Sequence, residues 1–345
     1  MLFSFLVPVY NTSKYLDQCM KSLLCQKGAD FEIVLIDDGS TDNSGEICDR
    51  YANDYPHIVR VVHKENEGLL LTRRRGFNEA KGDWFICVDS DDYVSDDLLI
   101  NVTKAINEFS PDMVMYNFQY FNDSGEISKS KLDMDDKSVY VGEKKHKIYK
   151  HRLLTDDVNS LCCKALKREI VDIDVDYSDC GIRNMCEDAV QVLPLFKNAQ
   201  KIVYLNAPLY CYRKGHANIT SGRTYESWVA TKTCFLTTEK YLDIFGVSEE
   251  LKCKFYTHNT EILSNFIRWL FLQPQDKMPQ TVESIIHAIC KSDGFDRCMK
   301  MYNKSYAHTT YLKLSVPKIM KYVKKENVKG MRRFFAIEKL FLSVK

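Results

Sequence analysis

Within the first 120 residues, short uninterrupted apolar runs alternate with segments whose apolar residues recur at helical spacing. Leu2 to Val7 is the first run, and Phe31 to Ile36, Ile58 to Val62, Trp84 to Val88 and Met113 to Phe121 follow. Between them Tyr15, Leu16, Cys19, Met20, Leu23 and Leu24 fall on one helix face. Ile47 to Tyr55, Leu69 to Ala80 and Leu98 to Phe109 read the same way. A strand without polar alternation is buried on both faces, as parallel strands covered by helices are. Strand and helix in regular turn therefore predict an α/β fold with crossover connections and a mostly parallel sheet.

Ligands of such sheets bind beyond the carboxyl ends of the strands, so the residues just after each run carry the most information. After the first run come Pro8-Val9-Tyr10-Asn11, after the second Asp37-Asp38-Gly39-Ser40, and after the fourth Asp89-Ser90-Asp91-Asp92. Two acidic clusters at the ends of two buried strands repel each other unless a cation or hydrogen-bond donors stand between them. Asp89 and Asp91, one residue apart, offer hard oxygen ligands suited to Mg²⁺ or Mn²⁺. The other reading of the same segment is a capping loop for the helix that follows. No G-x-G-x-x-G follows the first strand and no G-x-x-x-x-G-K-[ST] occurs, so any phosphate must be held by a metal and basic side chains. Arg73, Arg74 and Arg75 are placed to supply positive charge, although an Arg run on a helix also fits a solvated face.

Composition removes several classes. At 345 residues, 45% hydrophobic and 28% charged, the chain is long enough and apolar enough for two cores. A net charge of +1 excludes a uniformly basic nucleic-acid coat. No run approaches the roughly 18 apolar residues of a membrane span. The N-terminus lacks the basic region and cleavage site of a signal peptide, so a cytoplasmic location is expected. Thirteen Cys without C-x-x-C spacing read as buried thiols in a reducing compartment. Residues 313–345 hold ten Lys or Arg against two Glu, a net +8, so residues 1–312 carry −7. Met331, Phe334, Phe335, Ile337, Leu340, Phe341 and Val344 interleave those charges. That pattern fits either a basic amphipathic helix on an anionic membrane surface or a terminal helix packed on its domain.

The strand-end motifs resemble those of family 2 glycosyltransferases, the inverting GT-A-fold enzymes that use nucleotide-diphosphate sugars. The resemblance is carried by Val7-Pro8-Val9-Tyr10-Asn11, by Phe31 to Asp42, by Asn66-Glu67-Gly68 with Arg73 and Gly76, and by Gly82 to Asp92. Weaker matches follow at Lys164, at Cys186-Glu187-Asp188 and at Pro208 to Arg213. Coverage ends near residue 220. The resemblance implies a GT-A nucleotide-sugar-binding and catalytic domain over 1–220 and a helical C-terminal region over 221–345. It implies that Pro8 and Tyr10 line a base pocket and that Asp38 meets the nucleobase. Asn66 and Gly68 join them in binding the nucleotide-sugar, Arg73 lies near the phosphates, Asp89 holds the ribose, and Asp91, with Asp89 beside it, ligates Mn²⁺ or Mg²⁺. Thr72-Arg73-Arg74-Arg75-Gly76 stands where the family more often has A-R-N-x-G, which adds charge near the expected diphosphate and leaves the role of Arg74 open.

Asp188 is the expected catalytic base, with Glu187 as the alternative; without the resemblance the pair reads as favourable charge at a helix N-terminus. The expected reaction is transfer of a hexose from a UDP-sugar to the hydroxyl of a glycan or lipid-linked acceptor, in bacterial surface-polysaccharide assembly. A silent nucleotide-sugar-binding protein, or a sugar-nucleotide pyrophosphorylase, remains the rival reading. His216 reads as a surface residue.

Overall fold

Residues 1–122, 127–129, 132, 134–155, 157–214, 225–272, 282–292 and 294–342 are described in a computed structural model. The chain divides into two compact units, Met1–Gly222 and Arg223–Lys345. The first holds one sheet of ten described strands: β1 (Leu2–Val9), β2 (Asp30–Asp37), β3 (Val59–His63), β4 (Trp84–Cys87), β5 (Tyr93–Val94), β6 (Met113–Phe121), β7 (Ile127–Lys129), β8 (Ser138–Val141), β9 (Lys164–Lys167) and β10 (Lys201–Arg213). Its helices are α1 (Leu16–Leu24), α2 (Ser44–Asp54), α3 (Leu69–Glu79), α4 (Leu98–Phe109), α5 (His146–Leu154) and α6 (Glu187–Asn198).

The five apolar runs form β1, β2, β3, β4 and β6, and the sheet order is β3-β2-β1-β4-β9-β6-β10-β5. From β3 to β4 every pairing is parallel. β1 is buried from Phe3 to Val9, which is why its sequence shows no polar alternation. The register sets Val9 against Asp37 and Leu6 against Cys87, so the acidic segments after β2 and β4 leave the same edge of the sheet. Helix α3 buries Leu70, Arg73, Gly76 and Phe77; a Cβ on Gly76 would lie 3.5 Å from Leu6, so the helix rides close against β1.

Beyond β4 the order departs from chain sequence. β9 enters between β4 and β6 and runs antiparallel to both. β10 pairs parallel with β6 over its length, and its register shifts on either side of Pro208, where the backbone has no N–H to give the ladder. Past that irregularity Tyr210 and Cys211 pair with β5, directly after the Asp89–Asp92 segment.

The second unit is helical: α7 (Tyr225–Ile244), α8 (Glu249–Leu272), α9 (Val282–Cys290), α10 (Phe295–Met301), α11 (Thr310–Lys324) and α12 (Val328–Leu342). Ile267, Leu270, Ile285, Ile286, Val316 and Val323 make its core. Met331 and Phe335 of the basic tail are buried in that core, and Phe335 stacks on Phe271 at 5.2 Å. Up to Phe335, therefore, the tail spends its buried apolar residues inside its own unit, while Lys318, Lys321, Lys325, Arg332 and Arg333 face outward. Ile337, Leu340 and Phe341 have side chains outside the described set, as does Val344, and His216 lies outside the described residues. None of the described helices is long and apolar enough to cross a membrane.

Truncating Phe335 tests the tail's part in the core. Phe335→Ala should lower the stability of the helical unit by about 3–5 kcal/mol in chemical denaturation, the usual loss for a buried Phe. A loss below about 1 kcal/mol would mean that α12 is not integral to that core.

Candidate active site

The site is assembled at the edge of the sheet where β1, β2 and β4 end. At the close of β1, Asn11 takes a left-handed conformation (φ 52°), and its Oδ1 accepts the backbone N–H of Thr41 at 2.8 Å, joining the first two strand-end loops. Thr12 Oγ1 donates to Ser90 Oγ at 2.9 Å, which ties the same turn to the segment after β4. Tyr10, 44% exposed, is left with an open aromatic face, while Pro8 is buried in the strand.

Asp38 is 3% exposed, and its carboxylate organises a loop. One oxygen accepts Lys64 Nζ at 2.5 Å and the Glu67 N–H at 2.9 Å; the other accepts the Gly68 N–H at 2.9 Å. Gly68 has φ 93°, and a Cβ there would stand 2.9 Å from both Arg183 Cβ and Asn184 Oδ1, so only glycine fits. The start of α3 is closed from the same side: Asn184 Oδ1 accepts the Leu69 N–H at 2.8 Å, and the Arg183 carbonyl accepts the Leu70 N–H at 3.0 Å. The Arg183 guanidinium donates to Asn66 Oδ1 at 3.1 Å. Asn66 and Gly68 are thus held by residues more than 110 positions away that carried no readable signal in the sequence.

The Asp89–Asp92 segment is fastened by β10. Tyr210 donates to Asp92 Oδ2 at 2.6 Å and accepts the Asp89 N–H at 3.2 Å. The Arg213 N–H donates to Asp92 Oδ1 at 2.7 Å, and its Nε to the Asp91 carbonyl at 2.9 Å. The Arg213 guanidinium lies over the rings of Tyr15 and Phe121, 4.5 and 4.4 Å from their centroids. Asp92 is 3% exposed; burial first, then the nearby Asp91 and Asp89, push its carboxyl well above the usual carboxylate range. Asp89 and Asp91 remain partly exposed. Hard oxygens in a local excess of negative charge match the donor set of Mg²⁺ or Mn²⁺, so the residues fit a divalent cation.

At the centre stands Arg73, 1% exposed. It donates to Asp89 Oδ1 at 2.7 Å and to Asp188 Oδ1 at 2.5 Å, and its Nη1 lies 3.5 Å from Glu187 Oε1. One buried guanidinium therefore joins the end of β4 to the first turn of α6. Asp188 keeps a quarter of its side-chain surface exposed. Burial raises its pKa and so does Asp89, while Arg73 opposes the rise. Burial and Asp188 raise Glu187 as well. Lys164 is buried behind this cluster, donates to the Val158 carbonyl at 2.8 Å and is pulled down to about 8 by burial. Helix α6 begins at Glu187 after Cys186 in a left-handed conformation, so Asp188 sits inside the first turn and is not the cap residue.

The structure brings Asp89, Arg73 and Asp188 into direct contact and sets Asp38, Asn66 and Gly68 in the adjoining loop. Three positions make contacts that the sequence did not name. Arg73 is enclosed by carboxylates. Asp38 has its oxygens engaged by Lys64 and by backbone. Arg74 adds no charge to the cleft: it donates to the Asp172 carbonyl and lies over the rings of Phe77 and Tyr177 at 5.5 and 5.3 Å. Arg75 pairs along its helix with Glu79 at 2.8 Å. Asp92 and Tyr210 were inside motifs already noticed, but their partnership joins positions 118 apart and is not visible in one dimension.

Residues 4–173 match the profile of Glycosyl transferase family 2. The chain is 33% identical over 234 residues to glycosyltransferase GlyG of Streptococcus pneumoniae serotype 4 (strain ATCC BAA-334 / TIGR4), covering 66% of this chain and 75% of that protein. It is 31% identical over 219 residues to the uncharacterized glycosyltransferase EpsJ of Bacillus subtilis (strain 168), covering 64% of this chain and 63% of EpsJ. Among solved structures, S. aureus TarS 1–349 in complex with UDP-GlcNAc superimposes with a TM-score of 0.65 at 19% identity, over 99% of this chain and 92% of that one, and so shares the GT-A fold. Profile, relatives and fold agree with the strand-end motifs and their assembly at one sheet edge, and the chain belongs to glycosyl transferase family 2.

Proposed function

We propose that this glycosyltransferase moves a hexose from a UDP-sugar to an acceptor hydroxyl with inversion, with Asp188 as the base. The observation that carries the reading is the Arg73 clamp, which fixes the partly exposed carboxylate of Asp188 against the strand end bearing Asp89 and Asp91. The uridine is carried over from the TarS complex with UDP-GlcNAc, and a glycan or lipid-linked acceptor from the family resemblance.

In this reading Tyr10 stacks on the base at the end of β1, with Pro8 behind it. Asp38 shapes the pocket wall by holding the Glu67 and Gly68 N–H groups in place, and Asp89 meets the ribose. Asp91, with Asp89 beside it, would hold Mn²⁺ or Mg²⁺, which when bound neutralises charge on the departing diphosphate. The acceptor oxygen attacks the anomeric carbon from the face opposite the diphosphate; the sugar–phosphate bond breaks, and the hydroxyl proton passes to Asp188. Burial and Asp89 make Asp188 a stronger base than a free carboxylate, while Arg73 opposes that rise. Arg73 is a positioning residue here: it sets the two carboxylates and does not touch the donor.

Release of UDP from a panel of UDP-, GDP- and dTDP-sugars with Mn²⁺ and a candidate acceptor tests the donor class; turnover confined to GDP- or dTDP-sugars would overturn the uridine assignment. Asp188→Asn should cut turnover by ~10²–10⁴-fold, the usual contribution of general-base catalysis, with donor affinity little changed. Near-normal transfer by that variant, with loss in Glu187→Gln, would move the base to Glu187. Because the base must be ionised and its pKa is raised, the acid limb of turnover should lie above the ordinary Asp value near 3.9 and fall as pH drops through it. Asp91→Asn should remove the metal dependence of UDP binding and leave the melting temperature within a few degrees of wild type. Wild-type transfer by Asp91→Asn would dismiss it as a metal ligand.

A further inference from the structure

We propose that His258, Glu261 and His308 form a second cation site, within the helical unit, for a transition-metal ion of the zinc class. His258 and Glu261 are three residues apart on α8 and so share a helix face. His308 comes from the segment between α10 and α11. One ligand atom from each of the three lies within 4.8 Å of the others. The imidazole rings of His258 and His308 are 5.4 Å apart between centroids and inclined at 63°.

The donor chemistry selects the ion. Two imidazoles and one carboxylate are the protein ligands of an open zinc site, with water in the fourth position. Imidazole suits Zn²⁺ and its neighbours, whereas Mg²⁺ and Mn²⁺ prefer the all-oxygen set offered by Asp89 and Asp91. Ligand atoms ~2.0–2.2 Å from a tetrahedral ion stand roughly 3.3 Å apart, so small side-chain rotations close the cluster.

Burial supplies a second argument. The Glu261 side chain is 4% exposed and lies against the imidazole of His308. Glu261 Oε1 accepts the His308 backbone N–H at 3.0 Å, and Oε2 meets His308 Nδ1, so the carboxylate is already oriented. A buried carboxylate needs a counter-charge, which a bound metal ion supplies. Binding changes no oxidation state, and any proton on a ligating atom passes to solvent. His308 is 56% exposed on its side chain, which gives the ion a way in.

An ion held there would also brace the helical unit. The segment before α11 is already latched to α8 where the Asn303 N–H donates to Thr257 Oγ1 at 3.0 Å and Cys253 Sγ donates to the Met301 carbonyl at 3.2 Å. A metal on His258, Glu261 and His308 closes that latch at its far end.

The test is a zinc titration of the full-length protein, freed of metal by a chelator and then titrated at neutral pH in competition with a chromophoric zinc chelator. Wild type should take up one Zn²⁺ per chain, unaffected by excess Mg²⁺, and melt several degrees higher when loaded. His258→Gln and His308→Gln should each weaken binding by roughly 100-fold or more, since even residues that only orient a ligand cost about 10–100-fold. Circular dichroism checks that both variants are folded, and Asp91→Asn should bind Zn²⁺ as wild type does. Failure of wild type to compete for Zn²⁺, or equal uptake by wild type and both His variants, would overturn the site; the latter would place the ion on the cysteines or the strand-end carboxylates.

Discussion

The arrangement of the catalytic unit turns on one buried cation. Arg73 reaches Asp89 and Asp188 with separate arms of its guanidinium, and these carboxylates belong to elements about 100 residues apart in the chain. A charge so enclosed is tolerable only when paired and hydrogen-bonded. Conversely, Asp89 and Asp188 repel each other, and the guanidinium between them is what lets both approach. Buried ion pairs contribute little net stability over apolar packing but can impose one geometry. Here the geometry imposed is the distance between a strand end and the first turn of α6.

A second layer of the same logic holds the acidic loop after β4. Asp92 lies deepest, held by the Tyr210 hydroxyl and the Arg213 backbone N–H. With Asp92 serving as the anchor, Asp89 and Asp91 are left partly open at the edge. The sheet order makes this possible: β10 pairs along β6, shifts register at Pro208 and then meets β5, delivering Tyr210 and Arg213 to the loop from the far side of the sheet. The loop over Asp38 is built in the same way, with Arg183 and Asn184 closing the start of α3 from a distant segment.

The helical unit obeys plainer rules. Its tail is basic in sequence yet apolar in what it buries, so Met331 and Phe335 enter the core and the positive charges of the same helix face away. Long cationic side chains on one face and packed hydrophobics on the other are what any terminal helix of a mixed domain shows.

Much of the fold was legible because it rests on local pattern. Uninterrupted apolar runs foretold β1, β2, β3, β4 and β6, and helical spacing foretold α1 to α4, since burial on one or two faces dictates those periods. Strand ends marked Asp38, Asp89 and Asp91, because a parallel sheet exposes only its carboxyl edge to ligands. What the sequence could not decide was which charges meet. Arg73, Arg74 and Arg75 are equivalent in one dimension; helix rotation alone sends the first between two carboxylates, the second onto Phe77 and Tyr177, and the third to solvent. The insertion of β9, the reach of Tyr210 to Asp92 and the meeting of His258 with His308 depend likewise on contacts between distant positions. Periodicity records whether a side chain is buried, but only the packed chain determines against what.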